Sequence, residues 1–197
     1  MRVAIQTAAI AVLLLVGLAA CGGQPQALAP TDPVVYQLPS PEVVRSDLVS
    51  YSDDRYPFVI QLPREWYAGE LSGPTYGIIA TSTNQPGQSR AAISVVAEPI
   101  ESGATIEATV TVAEETLQAQ QGITDFRVEL DRQATVNQNQ ARERRYRFLN
   151  AGQSIRQRTV YIQGTDHVYA VSLTAPQDVF AQHEATFNDV LVTFEGF

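Results

Sequence analysis

The chain has 197 residues, a formal net charge of −8, and thirteen basic residues that are all Arg. Its length suits one domain plus a tail. An acidic chain without Lys is a poor general binder of nucleic acid or anionic lipid, so no nucleic-acid partner is expected, and the net charge reads first as solubility.

Met1-Arg2 is followed by an apolar run from Ala8 to Leu18 and by the small residues Ala19 and Ala20 before Cys21. This is the layout of a secretory signal peptide over residues 1–20. The run is shorter than the ~20 apolar residues of a membrane span, and Gln6 and Thr7 interrupt it. Leu18-Ala19-Ala20-Cys21 resembles the lipobox of bacterial lipoproteins. The resemblance implies a chain cut before Cys21, lipidated on the Cys21 sulfur and acylated on the new amino terminus. Such a chain is anchored by lipid to the extracytoplasmic side of a bacterial membrane. Cys21 is the only cysteine, so no disulfide forms within the chain, and a free thiol would be unusual in an oxidising compartment.

Residues 21–46 read as a linker, since five of the eleven prolines fall there and such a segment buries too little apolar surface to fold alone. Within it, Val34-Val35-Tyr36 has the composition of a short docked strand. The globular domain is expected over residues 47–197. Strands are expected over residues 48–51, 56–62, 78–82 and 91–97, on the alternation of Phe58, Ile60 and Leu62 and of Ile93 and Val95. Turns are expected at residues 52–55 and 84–87.

Residues 105–121 carry a helical stripe of Ile106, Val110, Ala113 and Leu117, with Thr105 as N-cap and Gly122 as the stop. Four strands follow. A three-residue turn over Asn137, Gln138 and Asn139 sets Leu130 opposite Tyr146 and Val128 opposite Phe148. A turn at Ala151-Gly152 sets Phe148 opposite Ile155 and Tyr146 opposite Gln157. A turn at Gly164-Thr165 sets Tyr161 opposite Val168. The last strands are apolar on both sides and need cover on both. A final helix beginning near Thr174 and Pro176 supplies one cover with Phe180, His183, Phe187, Val190, Leu191 and Phe194. The expected fold class is therefore α+β, an antiparallel β-sheet meander covered by helices on both faces.

Tyr56-Pro57-Phe58-Val59-Ile60-Gln61-Leu62-Pro63-Arg64-Glu65-Trp66 is similar to the aromatic–strand–Pro–x–x–Trp opening of PsbP-like domains, those of the photosystem II extrinsic protein P and its bacterial relatives. The meander with Tyr146, Tyr161 and Tyr169, closed by a helix over Phe187 to Phe194, is similar to their ending. The resemblance implies an α/β/α sandwich, no enzyme activity, and an accessory or assembly role in docking onto membrane complexes.

The residues point to no catalytic chemistry and no cofactor. Two His, His167 and His183, fall short of the three or four ligands of a metal site, and His183 lies on the apolar stripe as a packed side chain. No nucleophile elbow, phosphate loop or His-Glu-x-x-His occurs. Trp66 reads as a core plug; alternatively, with Tyr76 and residues 69–77, it lines a small-ligand pocket between sheet and helix. The meander registers set Arg145 opposite Arg158 and Arg147 opposite Arg156, four like charges on the face opposite Tyr146 and Phe148. Like charges across a ladder destabilise it. Glu129 opposite Arg147 and Asp131 opposite Arg145 would neutralise half of the patch, leaving Arg156 and Arg158 without partners. The patch is either a solvated face or a docking surface for an acidic region of a membrane protein complex.

Overall fold

The computed structural model describes residues 32–37, 47–52, 58–71, 76–83, 90–100 and 105–196. The expected signal peptide, Cys21, most of the expected linker and the turns at residues 52–55 and 84–87 lie largely or wholly outside the described residues.

In chain order the strands are β1 (Val34–Tyr36), β2 (Leu48–Ser52), β3 (Phe58–Pro63), β4 (Tyr67–Glu70), β5 (Tyr76–Thr81) and β6 (Ala92–Pro99). Helix α1 (Ile106–Ala119) follows, then β7 (Ile123–Val136), β8 (Asn139–Asn150), β9 (Gln153–Gln163) and β10 (His167–Pro176). Helix α2 (Gln177–Val192) and β11 (Glu195–Gly196) end the chain. Among the described residues, eight strands form one sheet in the order β1-β7-β8-β9-β10-β6-β5-β4, and β11-β3-β2 form a smaller one. All pairings are antiparallel except β1 on β7. Helix α1 lies on one face of the large sheet; α2 and the small sheet lie on the other. The protein is thus an α+β sandwich with a helix on each face, as the patterning implies, and the small sheet adds to the α2 side.

The main core sits under α2, where Phe58, Ile60, Val160, Tyr169, Val171, Leu173, Phe187 and Leu191 are buried together. On the α1 face, Ile106 and Val110 close over Val96, Tyr161, Val168 and Ala170. Nearer the other end of α1, Leu117 meets Tyr146, Phe148 and Ile155. The Thr105 hydroxyl caps α1 by accepting from the Ala108 N–H at 3.2 Å, as its position before the apolar stripe predicts. The helix ends at Ala119, before Gly122.

Three expectations are corrected. The β7–β8 turn has two residues, because Asn137 and Gln138 both adopt positive φ (45° and 71°) and Val136 pairs with Asn139. This turn favours the right-handed twist of its strands. Alone it would flip every upstream side chain to the wrong face. The register shift between Val128 and Leu130 undoes the flip, and a second between Thr124 and Arg127 changes the face again at the start of the strand. Val128 consequently sits opposite Tyr146 and Leu130 opposite Arg145, so Leu130 leaves the face that Val128 occupies.

At the β9–β10 turn Gln163 pairs with Val168 and Tyr161 with Ala170. This is two residues from the expected register, so every face is preserved. The β8–β9 register is as expected. Helix α2 starts at Gln177, not Thr174, because Thr174, Ala175 and Pro176 still pair with β9 and Pro176 has an extended ψ of 142°. Phe180, Phe187, Val190 and Leu191 are buried as the stripe implies, and Phe194 is buried just beyond the helix. His183 is half-buried, edge-on to Trp66 with ring centroids 5.5 Å apart, and burial holds its pKa below the usual value.

Candidate functional site

Residues Arg142 to Arg147 of β8 read Arg-Glu-Arg-Arg-Tyr-Arg. Strand alternation sends Arg142, Arg144 and Tyr146 to the α1 face and Glu143, Arg145 and Arg147 to the α2 face. Arg156 and Arg158 of β9 face the same way, opposite Arg147 and Arg145. The α2 face therefore changes character along the strands. At the Asn137 end it is apolar, with Ala134, Val136, Ala141 and Ile162 in the main core. Toward the other end it is charged.

Glu143, fully buried, is the hub of that charged half. Its Oε1 lies 2.9 Å from Arg158 Nε and 3.2 Å from Arg145 Nε. Its Oε2 accepts from Arg132 Nη2 at 2.7 Å and from the Tyr36 hydroxyl of β1. Tyr36 in turn accepts from Arg158 Nη2 at 2.5 Å and from Arg132 Nη2 at 3.2 Å. Burial alone pushes the Glu143 carboxyl up, but the Arg158 charge, the Tyr36 hydroxyl and Arg132 outweigh it and hold the pKa below the usual value. A buried carboxylate persists only with such partners.

Each arginine singled out from the sequence can now be placed. Arg158 is only 2% exposed. Besides Glu143 and Tyr36 it donates to Asn188 Oδ1 at 2.8 Å, and its guanidinium lies 5.0 Å from the Phe187 ring centroid. It is an internal member of the network, not part of a docking surface. Arg145 is one-third exposed and also reaches Glu184 of α2 at 3.1 Å. Arg147 and Arg156 lie 3.6 and 3.4 Å from Glu129. Arg156 and Arg158 thus both have acidic partners, contrary to the expected registers. Asp131 pairs with Arg142 and Arg144 on the α1 face, at 2.7 and 3.0 Å, rather than with Arg145.

The shift between Val128 and Leu130 turns Glu129 and Leu130 toward the α2 side, as bulges beside functional sites do. With Arg132, Arg145, Arg156 and Phe180 they line a groove of about 630 Å³, within the ~300–1,000 Å³ range of ligand sites. Among the described residues, five guanidiniums on this face share the carboxylates of Glu129, Glu143 and Glu184. The groove therefore carries a local excess of positive charge in an acidic chain, and planar Arg forks hold carboxylates in two contacts.

A second cavity, of about 40 Å³, lies between α1 and the sheet beside Ser94, Glu114, Gln157, Thr159, Tyr161 and Ser172. It has room for a few water molecules. Thr159 and Ser172 hydroxyls are 2.9 Å apart there, and those of Tyr146 and Tyr161 are 3.3 Å apart. Burial pushes Tyr161 up to about 12. It also raises Glu114, against the pull of Arg144. Trp66, the anchor of the alternative ligand pocket, lines neither cavity and packs on the main core. Among the described residues no group of three His, Cys, Asp or Glu is placed to hold a metal ion, and no helix is long and apolar enough to cross a membrane.

Sequence reasoning found Arg145, Arg147 and Arg156 but missed Glu143, Arg132, Tyr36 and Glu184. The one available signal for Glu143 was its place as a lone acid among four arginines, in register with Ala141 on a core-facing side.

A family model described as DcrB matches residues 77–193, more than half of the chain. No curated protein matches the sequence. Among solved structures, the chain is similar to cyanobacterial PsbP (CyanoP) from Synechocystis sp. PCC 6803, with a TM-score of 0.59 and 14% identity over 79% of this chain and 96% of that one. It is also similar to PA94 from Pseudomonas aeruginosa, described as a putative regulator of unknown function (TM-score 0.48, 16% identity, 74% of this chain and 94% of that one). A third is LpqN of Mycobacterium tuberculosis, described as involved in cell envelope biogenesis (TM-score 0.47, 17% identity, 68% and 79%). The likeness to CyanoP is one of fold, and agrees with the PsbP-like pattern of core aromatics.

Proposed function

The chain belongs to the DcrB family, and we propose that it is a non-catalytic accessory module, anchored outside the cytoplasm by lipid on Cys21, that docks on an acidic surface of a membrane protein complex. The observation that carries this reading is the groove beside α2, where Arg132, Arg145 and Arg156 flank the apolar Leu130 and Phe180. A fully neutralised stripe would have no capacity for a partner's carboxylates; here, among the described residues that line the groove, guanidiniums outnumber carboxylates. Arg145 and Arg156 are 33% and 40% exposed in their side chains, so an incoming acid reaches them without unfolding the buried network. Exposed pairs such as Arg156–Glu129 contribute only ~0–1 kcal/mol, and a partner's carboxylate exchanges with them at little cost.

The test is the double variant Arg145→Gln with Arg156→Gln, with Arg127→Gln as control, because Arg127 is exposed and pairs locally with Asp125 at 2.8 Å. Arg158 is unsuitable, since its loss would leave Glu143 short of a buried partner. Capture of a partner from detergent-solubilised membranes is expected to fall at least tenfold at low salt, with a flatter salt dependence, while the control is unaffected. Unchanged capture at low and at physiological salt would remove the proposal.

A further inference from the structure

Resting on the docking reading above, we infer that the arginine groove recognises an extended partner segment of the pattern acid–x–apolar–x–acid, with both carboxylates and the apolar side chain between them turned toward the sheet. The strand registers set an order of groups along β8. Arg132 sits opposite Glu143 and Leu130 opposite Arg145, while Arg156 sits opposite Arg147. The guanidiniums of the two outer arginines turn inward over β8. Arg132 Nη2 lies 2.7 Å from Glu143. Arg156 Nη2 lies 3.4 Å from Glu129, which also reaches Arg147 at 3.6 Å. These two cations therefore mark the levels of residues 143 and 147, about 13 Å apart along the strand. Leu130 enters at the level between them. Arg145 stands at that middle level too, and serves the acid on either side.

Leu130 makes the groove more than a charged patch. Regular alternation would keep it with Val128, which packs on the α1 face against Tyr146 and Phe148. The register shift between Val128 and Leu130 sends it to the α2 face instead. There it is half-buried and lines the groove together with Phe180. A half-exposed leucine ringed by guanidiniums gains from being covered by another apolar side chain. Apolar anchors enclosed by a polar rim are also where binding energy concentrates at interfaces. Among the described lining residues, Arg132, Arg145 and Arg156 stand against the single carboxylate of Glu129, so two incoming acids complete the balance of charge.

The geometry selects an extended occupant. In an extended chain, residues i, i+2 and i+4 face one side and span about 13 Å, the separation of the two cation levels. A helical segment of that length, about 10 Å across, fills roughly 900 Å³, more than the groove of about 630 Å³ holds.

The experiment compares two peptides of identical composition, acetyl-Ser-Asp-Ser-Leu-Ser-Asp-Ser-amide and its isomer acetyl-Ser-Asp-Leu-Ser-Ser-Asp-Ser-amide. Both keep the spacing of the acids; only the first puts leucine on their side. Each is titrated into the full chain in detergent micelles at low and at physiological salt. The first is expected to bind at least tenfold more tightly at both. Leu130→Asn should abolish that difference and Leu130→Met should retain it, which separates loss of the anchor from loss of the fold. Equal affinities, tighter binding of the isomer, or a difference that survives Leu130→Asn would each overturn the inference. Equal affinities that both fall in the Arg145→Gln, Arg156→Gln double variant would remove the pattern and leave the docking reading standing. Absence of binding by either peptide, with capture of the membrane partner still dependent on the two arginines, would do the same. Peptide binding and partner capture that both ignore the double variant would remove the docking reading itself.

Discussion

Glu143 of β8 holds β1, β7 and β9 directly and α2 through Arg145 and Arg158, and its removal should be felt far more than that of any surface arginine. Replacing it by Gln leaves the buried Arg158 and the partly buried Arg132 against a neutral partner. The expected loss is ~3–5 kcal/mol at pH 7, measured by urea unfolding. The pH dependence follows from the direction of its shift. Its folded pKa lies below the ordinary 4.5, so its contribution is present above that ordinary value and is lost as pH falls through the folded one. The gap in stability between the native chain and Glu143→Gln should therefore narrow from pH 7 toward pH 3. A gap that stays constant would contradict the network. Tyr36→Phe keeps the ring and deletes one hydroxyl that serves three charged groups, with an expected cost of ~1–3 kcal/mol. Neither residue was legible as a site in the sequence. A lone Glu among arginines looks like a solvated ion pair, and Tyr36 sits among prolines 96 to 122 positions from its partners.

Among the elements, the β7–β8 hairpin shows where pattern reading succeeds and where it stops. Strand existence and the identity of both faces of β8 and β9 follow from period-two alternation, and the Arg145–Arg158 and Arg147–Arg156 pairs were correct from it. The turn length was not, because Asn137-Gln138-Asn139 serves a two- or a three-residue turn equally well by composition. Nor was the shift at Leu130, since Phe126, Val128 and Leu130 alternate as if the strand were regular. Gln138 has a φ of 71°, a value that glycine adopts without strain, so Gln138→Gly relieves a left-handed cost of ~1–2 kcal/mol against an entropic cost of ~0.5–1 kcal/mol and should raise stability in urea unfolding by up to ~1 kcal/mol. Asn137→Gly should not, since the Asn137 amide donates to the Val192 and Phe194 carbonyls at 2.9 Å each and pins the end of α2. Within α2, Phe187 is fully buried. Phe187→Ala should cost ~3–5 kcal/mol, and a melting temperature unchanged within a degree would contradict its place in the core.

For the whole molecule, the boundary of the domain is the point at issue. A chain beginning at Asp47 lacks β1 and leaves Glu143, Arg132 and Arg158 without the Tyr36 hydroxyl. It should be less stable than one beginning at Asp32 by several kcal/mol on the scale of broken buried charge networks. Equal urea midpoints for the two would show that β1 is dispensable. The anchor has its own test: Cys21→Ser should shift the protein from the membrane to the soluble extracytoplasmic fraction or block its processing. Normal cleavage with unchanged membrane fractionation would exclude lipid on Cys21. The sequence by itself determined the α+β class, the two covering helices, the apolar stripes and which arginines share a strand face, because each of these is set by side-chain period and by residues close together in the chain. Tertiary structure alone decided that Glu143 is a buried hub, that Arg158 is internal, that Leu130 turns into a groove and that the Tyr36 hydroxyl joins the Glu143 network. The physical reason is that burial of a charge is settled by partners brought from β1, β7, β9 and α2, and no local pattern records their arrival.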